Sequence, residues 1–366
     1  MKQIKKRYLS LDVFRGMDIA LMIIVNSPGK YSTTFSPLLH AQWHGFTITD
    51  LVFPTFLFIV GISMSFSMPK YDILSNKIFL TKVVKRTLII FLLGFLMYWF
   101  PFFENGELKS LSETRIFGVL QRIALCYFFG SIILRFWKPK GAILFSIIAL
   151  VSYQVVLLAF GDLSLSGNAV LKLDTWLIGA SHMYHGDGIA FDPEGLLSTL
   201  PAIVNIFGGY LAGSFLQKSG QNYKTIAFMT MFGSFLIFIA LGWDLLFPIN
   251  KKLWTSSFVL LTIGIDLIII SILVYFLDIL KKDKWTYFFQ VLGKNPLFIY
   301  LLSELLVISL YQFKLNGIMA YDWIAENIFI SWLGNYTGSF AFALSVLLTC
   351  WLVGYIMDRN KIYVKI

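Results

Sequence analysis

Hydrophobic and polar positions alternate along this chain in long blocks, not in the short periods typical of half-buried helices or strands. Apolar runs of about 17 to 25 residues recur from one end to the other, between charged or Gly/Pro-containing breaks. An α-helix needs a run of this length to cross roughly 30 Å of hydrocarbon. The pattern therefore predicts an all-α, polytopic membrane protein.

Ten transmembrane helices are predicted from these runs. Their spans are residues 9–27, 50–68, 87–103, 116–136, 141–160, 196–216, 225–243, 255–279, 286–312 and 338–357. The longest polar interruption is 161–195, and no repeat, low-complexity tract or long linker divides the chain. We therefore expect a single bundle of about ten helices that forms one domain over residues 1–366.

The composition agrees with this fold class. Hydrophobic residues make up 57% of the 366 positions and charged residues 14%, where soluble globular proteins usually carry about a quarter. Both cysteines, Cys126 and Cys350, lie inside apolar runs. The sequence therefore indicates neither a disulfide framework nor a cysteine-based metal site.

The distribution of positive charge predicts an orientation. The net charge is +10, and 20 of the 30 Lys and Arg residues fall in segments on the same side of the predicted bundle as the N-terminus. Basic residues concentrate in cytoplasmic loops, so we expect both termini to be cytoplasmic. The same charges suit anionic lipid headgroups, and we expect membrane lipids as partners and no nucleic acid.

In this orientation all four histidines lie on the extracytoplasmic side, and two hypotheses account for them. His40, His44, His182 and His185, with Asp187, could ligate zinc, although neither pair has the spacing of a strong zinc motif. Alternatively, one histidine performs acid/base chemistry and a carboxylate orients it. Asp50, which precedes the apolar run "LVFPTFLFIVG", is the natural partner, and it could equally cap that helix.

Several polar residues inside the predicted spans need a partner or a function. Asp12, Arg15 and Asp18 are spaced to pair along one helical face, or to bind a ligand. Asn26, at the outer end of the same helix, could donate to a developing oxyanion. In "GVLQRIALCY", Arg122 must face the interior of the bundle. For three further residues we expect structural pairing: Asp266, Lys294 and Glu304.

Several longer segments carry a family resemblance. They are "YLSLDVFRGMDIALMIIVN", "LLHAQWHGFTITDLVFPTFLFIVGISMSFSM", "RIFGVLQRIALCYFFGS", "FDPEGLLSTLPAIVNIFGGYLAG", "PINKKLWTSSFVLLTIGID" and "LGKNPLFIYLLSE". In this order, the segments resemble the heparan-alpha-glucosaminide N-acetyltransferase family of transmembrane acyltransferases, in particular its shorter bacterial members. The resemblance implies transfer of an acetyl group from cytoplasmic acetyl-CoA to the amine of a terminal glucosamine across the membrane.

The resemblance also implies roles for individual residues. His40 falls on the family's catalytic histidine, and Asn26 and Asp50 fall on its neighbouring active-site residues. The family pattern admits Asn at the position of His44, which argues against an indispensable metal ligand there, and we expect no metal. On this basis His40 is the predicted general base, Asp50 sets its tautomer, and Asn26 assists the tetrahedral oxyanion.

Contacts for the two substrates are predicted from residue chemistry. Arg15, Arg122 and Gln121 are the candidates for acetyl-CoA, because CoA is polyanionic and needs a polar path through the bundle. The candidates for the sugar combine aromatic faces, an imidazole and carboxylates: Trp43, His44, Asp192, Glu194 and Trp254. Each tryptophan could instead be part of an interfacial aromatic belt.

Other interpretations stay open from the sequence. An acetylated His40 could be a covalent intermediate. The chain could also be an amino-sugar transporter that uses intramembrane Asp and Arg residues, or an O-acetyltransferase of a cell-envelope glycan. A homodimer also stays open. We expect a multi-pass protein of a bacterial inner membrane.

Overall fold

The computed structural model describes residues 8–104 and 106–364. Most of these residues are helical, and their β-structure consists of two small antiparallel hairpins. The prediction of an all-α polytopic membrane protein is therefore confirmed. The basic residues at positions 2, 5, 6, 7 and 365, which entered the charge count, lie outside the described residues.

The described residues up to position 219 contain seven α-helices. They are α1 (Leu9–Asn26), α2 (Ile48–Tyr71), α3 (Asn76–Trp99), α4 (Val119–Phe136), α5 (Lys138–Phe160), α6 (Ala169–Ile178) and α7 (Thr199–Ser219). Between α3 and α4, strand β1 (Phe103–Glu104) pairs with β2 (Glu107–Leu108).

The described residues after position 219 contain seven more. They are α8 (Tyr223–Asp244), α9 (Ser256–Leu273), α10 (Tyr287–Lys294), α11 (Pro296–Gln312), α12 (Ala320–Ile324), α13 (Ser331–Leu333) and α14 (Asn335–Arg359). π-Helical turns follow α9 at Val274–Ile279 and α12 at Ala325–Ile330. Strand β3 (Lys314–Leu315) pairs with β4 (Ile318–Met319).

Fewer of these helices have the length and composition of a membrane span than the ten predicted. Seven qualify among the described residues: α2, α4, α5, α7, α8, α9 with its π-helical extension, and α14. The pair α10 and α11 qualifies as an eighth span if it is counted as one. All ten predicted spans overlap helices, so the lower number comes from the polar residues that some of these helices carry.

The two predicted spans that do not have the composition of a membrane span correspond to helices α1 and α3. Helix α1 contains Asp12, Arg15 and Asp18 within 18 residues, which is more charge than an ordinary span carries. Helix α3 begins at Asn76, not near residue 87, and its first half is rich in lysine. Ser75 caps this start by accepting a hydrogen bond from the Ile78 amide at 3.4 Å.

The single helix predicted over 286–312 is wrong, because the structure breaks it into α10 and α11, bent by 87°. Pro296 has no amide hydrogen and disfavours helical geometry at Asn295, which adopts φ −130° and ψ 52°. The Asn295 side chain holds the break by accepting from the Val364 amide at 2.9 Å and donating to the Ile362 carbonyl at 3.0 Å.

The polar interruption 161–195 is also more ordered than its composition indicates. It contains α6, which starts where the Asn168 side chain accepts a hydrogen bond from the Leu171 amide at 2.7 Å. The Asn168 amide group donates in turn to the carbonyls of Ser164 and Leu165. Local side-chain bonding therefore builds a short helix in a segment with no long apolar run.

The chain groups into two compact units. Among the described residues, the first consists of residues 8–39, 219–232 and 267–364, and the second of residues 40–104, 106–218 and 233–266. Each unit brings together segments that are distant in the sequence. The second unit contains most of the predicted site residues.

Glycines allow very close helix packing inside each unit. In the second unit, a methyl group added to Gly209 of α7 would lie 1.8 Å from the Phe58 carbonyl oxygen of α2. In the first, a methyl group on Gly16 of α1 would lie 1.8 Å from the Phe289 carbonyl oxygen of α10. Small residues at such crossings let helix backbones touch, as is common in membrane bundles.

Candidate active site

The loop that precedes α2 closes around the carboxylate of Asp50. Asp50 and Thr47 form a capping box at the start of α2. One oxygen of Asp50, Oδ2, accepts hydrogen bonds from the amides of Ala41 at 3.1 Å and Thr47 at 2.9 Å, and from the Thr47 hydroxyl at 3.0 Å. This oxygen therefore both caps the helix and folds the loop back on itself.

The other oxygen of Asp50 contacts His40. Its distance to His40 Nδ1 is 2.7 Å. Asp50 is buried, and its carboxylate can only accept hydrogen bonds. The imidazole proton of His40 must therefore lie on Nδ1, where it is donated to Asp50. The Nε2 atom of the neutral ring is then a hydrogen-bond acceptor, and 38% of the His40 side chain stays exposed. The structure thus brings together His40 and Asp50, which the sequence paired. Asp50 both caps α2 and orients His40, so the two roles considered for it do not exclude each other.

Three contacts anchor the His40 loop to neighbouring segments of the same unit. The Gly45 amide donates to the Ile249 carbonyl at 2.8 Å, with Gly45 at φ +115°, a conformation that favours glycine. The Asn250 amide group donates to His44 Nδ1 at 3.3 Å. The Trp43 indole donates to the Leu163 carbonyl at 2.7 Å, and its ring packs edge-on against Phe191.

The predicted carboxylates Asp192 and Glu194 bind a cation that sequence reasoning did not single out. Arg115 donates to both oxygens of Asp192 at 2.7 and 2.9 Å and to Glu194 Oε2 at 2.6 Å. The rings of Tyr98 and Tyr184 each lie 5.0 Å from its guanidinium carbon. Asp192 and Glu194 therefore have protein partners. Burial lowers the pKa of Arg115, but its interactions with Tyr98, Asp192 and Glu194 outweigh burial and raise this pKa well above the usual value.

A second cation, Lys251, approaches the other oxygen of Glu194. Its Nζ atom lies 3.9 Å from Glu194 Oε1. Burial alone raises the pKa of Glu194, but the charges of Lys251, Arg115 and Arg122 outweigh burial and lower it to about 2. Glu194 is thus a carboxylate at physiological pH. The adjacent Lys252 pairs instead with Asp187 at 2.5 Å.

Arg122 is buried in the same unit, as predicted for an arginine within a span. Its Nη2 atom donates to the Gly195 carbonyl at 3.1 Å and to the Ser198 hydroxyl. The guanidinium carbon lies 4.8 Å from the centre of the Trp254 ring. Within the described residues its Nε and Nη1 atoms have no hydrogen-bond partner. Arg122 therefore fixes the end of the "FDPEG" loop against an aromatic face.

Trp254 is enclosed in protein and not at a membrane interface. Its indole donates to Asn205 at 3.1 Å, and Asn205 donates to Thr262 at 3.0 Å. The residue is buried and adopts φ +54°, an unusual conformation for a side chain of this size. The interfacial-belt alternative is therefore wrong for Trp254.

The three CoA candidates differ in accessibility. Gln121 and Arg122 are fully buried, and neither amide atom of Gln121 has a partner within the part of the chain that the structure describes. Arg15, in the other unit, keeps 24% of its side chain exposed and lies 3.5 Å from Asp12 and 3.3 Å from the Gly293 carbonyl. Of the three, only Arg15 presents surface to a ligand in this conformation.

Asn26 lies in the first unit, at the last position of α1. Its amide group donates to Glu304 Oε1 at 3.1 Å. Two more residues for which pairing was expected also have partners: Lys294 binds Asp358 at 2.7 Å, and Asp266 accepts from Thr55 at 2.6 Å. The predicted amide donor is thus bonded to a carboxylate.

The zinc hypothesis finds no supporting geometry. Among residues 8–104 and 106–364, no group of three or more His, Cys, Asp or Glu side chains is arranged to hold a metal ion. His44 bonds to Asn250, and His182 Nδ1 lies 2.8 Å from the Thr114 carbonyl oxygen. These two histidines therefore have protein partners of their own.

The environment of His40 favours its neutral form. Burial lowers the pKa of His40, and the charge of Lys251 lowers it further, while Asp50 and Glu194 act in the opposite direction. The net effect is a pKa below the usual value. A neutral imidazole with an exposed face can accept a proton from an incoming group.

Asp174, which sequence reasoning missed, belongs to the same region. It lies on α6, and one of its oxygens accepts from the Leu196 amide at 3.1 Å. Burial raises its pKa to about 6. Its position in a short amphipathic helix within a polar interruption gave no sequence signal of this contact.

These features define a multi-pass helical membrane protein with an accessible, carboxylate-oriented histidine in a loop at the start of a span. Residues 7–247 match the family model described as the heparan-alpha-glucosaminide N-acetyltransferase catalytic region, and the chain belongs to that family.

Two curated relatives carry the same description. The chain is 29% identical to heparan-alpha-glucosaminide N-acetyltransferase of Mus musculus and 28% identical to that of Homo sapiens. In both comparisons the alignment covers 98% of this chain and 60% of the relative. The chain thus spans about 60% of the length of the curated relatives it matches.

Proposed function

We propose that this protein is a transmembrane N-acetyltransferase that moves an acetyl group from acetyl-CoA to the amine of an amino sugar, with His40 as the general base. The observation that carries the proposal is the 2.7 Å contact between His40 Nδ1 and Asp50, which leaves Nε2 of an accessible ring free to accept a proton. Membership of an N-acetyltransferase family supports the reaction class.

The chemistry proceeds by attack of the amine on the thioester carbonyl. The sugar must first lose the extra proton of its ammonium form to solvent. His40 Nε2 takes a second proton as the C–N bond forms, and Asp50 stabilises the imidazolium. The C–S bond then breaks, and the proton on His40 passes to the CoA thiolate. The imidazole returns to its neutral form.

In this proposal Asn26 assists the oxyanion through its amide hydrogens. Its Nδ2 atom donates to Glu304 in the structure. Assistance therefore requires this amide to exchange Glu304 for the substrate oxygen, or to use its second hydrogen. Removing one donor of this kind typically costs about 10²- to 10³-fold in kcat.

The sugar-side candidates divide by accessibility. His44 is exposed and Trp43 is half-buried, so both can touch an acceptor. Asp192 and Trp254 are fully enclosed, and Glu194 nearly so. We assign direct contact to Trp43 and His44, and a supporting position to the buried residues.

The proposed sidedness places acetyl-CoA in the cytoplasm of a bacterium and the acceptor beyond its inner membrane. The supporting observation is the excess of basic residues on the side of the N-terminus. Arg15 is the candidate with accessible surface for CoA phosphates or pantetheine. Gln121 and Arg122 could contribute only if α4 moves, because both are enclosed.

The test is release of free thiol from acetyl-CoA by the purified protein with a panel of amino sugars. We expect turnover with an amine acceptor, and none with the matching sugar that carries only hydroxyl groups. That second sugar separates N- from O-acetylation. No thiol release with any sugar of the panel, together with amino-sugar flux in liposomes, would overturn the proposal.

His40→Ala tests the proposed base. A positioned general base contributes about 10² to 10⁴ in rate, so we expect a kcat loss of that size. His185→Ala is the matched control, because His185 is an exposed histidine outside the site. Wild-type kcat in His40→Ala would exclude His40 as the base.

A covalent variant of the mechanism makes acetyl-His40 an intermediate. Incubation with radiolabelled acetyl-CoA and no acceptor distinguishes it, since label bound to the wild type and absent from His40→Ala would indicate the intermediate. Direct transfer predicts no protein-bound label.

One observation favours the transporter as second candidate. Helices α10 and α11 meet at an 87° bend, and discontinuous helices of this kind line substrate sites in transporters. The liposome flux measurement decides between the two, because a transporter moves the amino sugar without consuming acetyl-CoA.

A further inference from the structure

A turn between α8 and α9 lies against the loop that carries His40. The Gly45 amide binds the Ile249 carbonyl at 2.8 Å, and His44 accepts from Asn250 at 3.3 Å. Asn250 also accepts from the Leu253 amide at 2.8 Å and donates from its own amide to Thr255 at 3.0 Å. The backbone on both sides of Lys251 is therefore fixed next to the His40 loop.

The side chain of Lys251 is largely enclosed there. Only 14% of it is exposed, and its Nζ atom lies 3.9 Å from Glu194 Oε1. Glu194 is held from the other side, because Arg115 binds its Oε2 atom at 2.6 Å. A charge with little access to water is weakly screened, so Lys251 and Glu194 both act on neighbouring titratable groups.

We propose that Lys251 and Glu194 are an opposed pair of positioning residues for His40: Lys251 keeps the imidazole unprotonated, and Glu194 limits that effect. This inference rests on the proposed function of His40 as a base. It gives Lys251 a role that the sequence did not indicate, and Glu194 a role beyond sugar contact.

The physical reason is the energy of the imidazolium. A nearby positive charge raises the free energy of protonated His40, and a nearby negative charge lowers it. Burial has the largest effect on His40 and favours the neutral ring; the charge of Lys251 acts in the same direction, and Asp50 and Glu194 act in the opposite one. Because Asp50 and Glu194 favour the protonated ring, the charge of Lys251 strengthens the preference for the neutral ring that burial creates.

Lys252 provides an internal comparison. It carries the same charge one residue further along the same turn, but its Nζ atom binds Asp187 at 2.5 Å. Asp187 therefore neutralises it. Loss of Lys252 should leave His40 unaffected.

The test is the pH dependence of kcat/KM calculated on the concentration of unprotonated amine, which then reports the pKa of the essential base in the free enzyme. In Lys251→Met we expect the midpoint of the acid limb to rise by about one pH unit, and in Glu194→Gln we expect it to fall. Lys251→Arg should restore the wild-type midpoint, and Lys252→Met should leave it unchanged. A purely structural defect would lower activity without shifting the midpoint in opposite directions.

A second measurement does not depend on turnover. Diethyl pyrocarbonate modifies the unprotonated imidazole, so its rate at His40, taken as the difference from the same protein with His40→Ala, follows the same midpoint. Equal midpoints for the wild type and Lys251→Met in this assay would overturn the inference. If Lys251→Met and Glu194→Gln shift the modification midpoint in opposite directions but the wild type releases no thiol, the effect of the pair on His40 stands and the proposed acetyltransferase function fails.

Discussion

Asp50 uses its two oxygens for two different tasks: Oδ1 contacts His40, while Oδ2 closes the loop and caps α2. Asp50→Asn separates the tasks. The amide oxygen can still accept the capping bonds, but the amide group then faces His40 Nδ1 and moves the ring proton to Nε2, the wrong tautomer for a base. We expect kcat to fall by about 10²-fold or more, with little change in melting temperature.

The comparison variant for this prediction is Asp50→Ala, which removes the cap as well. It should lose kcat similarly and also about 1 kcal/mol of stability, measurable by thermal unfolding in detergent. Asp50→Asn with wild-type kcat would mean that the His40 tautomer does not matter for turnover.

For single residues, the sequence could place His40 beside Asp50 because ten residues of loop leading into a helix leave few arrangements. It could not place Arg115 beside Asp192, which is 77 residues away, because ion pairs between distant loops depend on how the helices between them pack. The pairing of Glu194 with Lys251 was hidden for the same reason.

The crossing of α2 and α7 depends on glycine, and it carries the helix that holds Asp50. In Gly209→Ala the new methyl group would lie 1.8 Å from the Phe58 carbonyl oxygen, so the two helices must separate. We expect a lower melting temperature and reduced turnover, because the start of α2 moves with the helix. Gly242→Ala in α8 is the control, because no atom of the described residues lies within 4 Å of its added methyl group.

The control should be neutral or stabilising by up to about 1 kcal/mol, since alanine favours a helix over glycine. A Gly209→Ala protein as stable and active as Gly242→Ala would show that the crossing tolerates separation.

The apolar pattern predicted the presence of the helices, but it did not always predict where they begin and end. An apolar run reports where a helix faces lipid or the protein core, so it missed the lysine-containing start of α3 at Asn76. It also joined α10 to α11, although "GKNPLF" contains the proline that breaks them. The proline disfavours helical geometry at the residue before it, and this local effect ends the helix in spite of the length of the apolar run.

For the whole molecule, the distribution of charge predicts which face meets the cytoplasm. Helix α5 separates two exposed positions, Lys140 near its start and His185 in the segment that follows α6. If both termini are cytoplasmic, Lys140 lies inside and His185 outside, where an external acceptor reaches the site.

Single-cysteine proteins, Lys140→Cys and His185→Cys in a background that lacks Cys126 and Cys350, can be labelled in intact cells with a membrane-impermeant maleimide. We expect label at position 185 in intact cells, and at position 140 only after permeabilisation. The reverse pattern would put His40 on the cytoplasmic side and remove the need for acetyl transfer across the membrane.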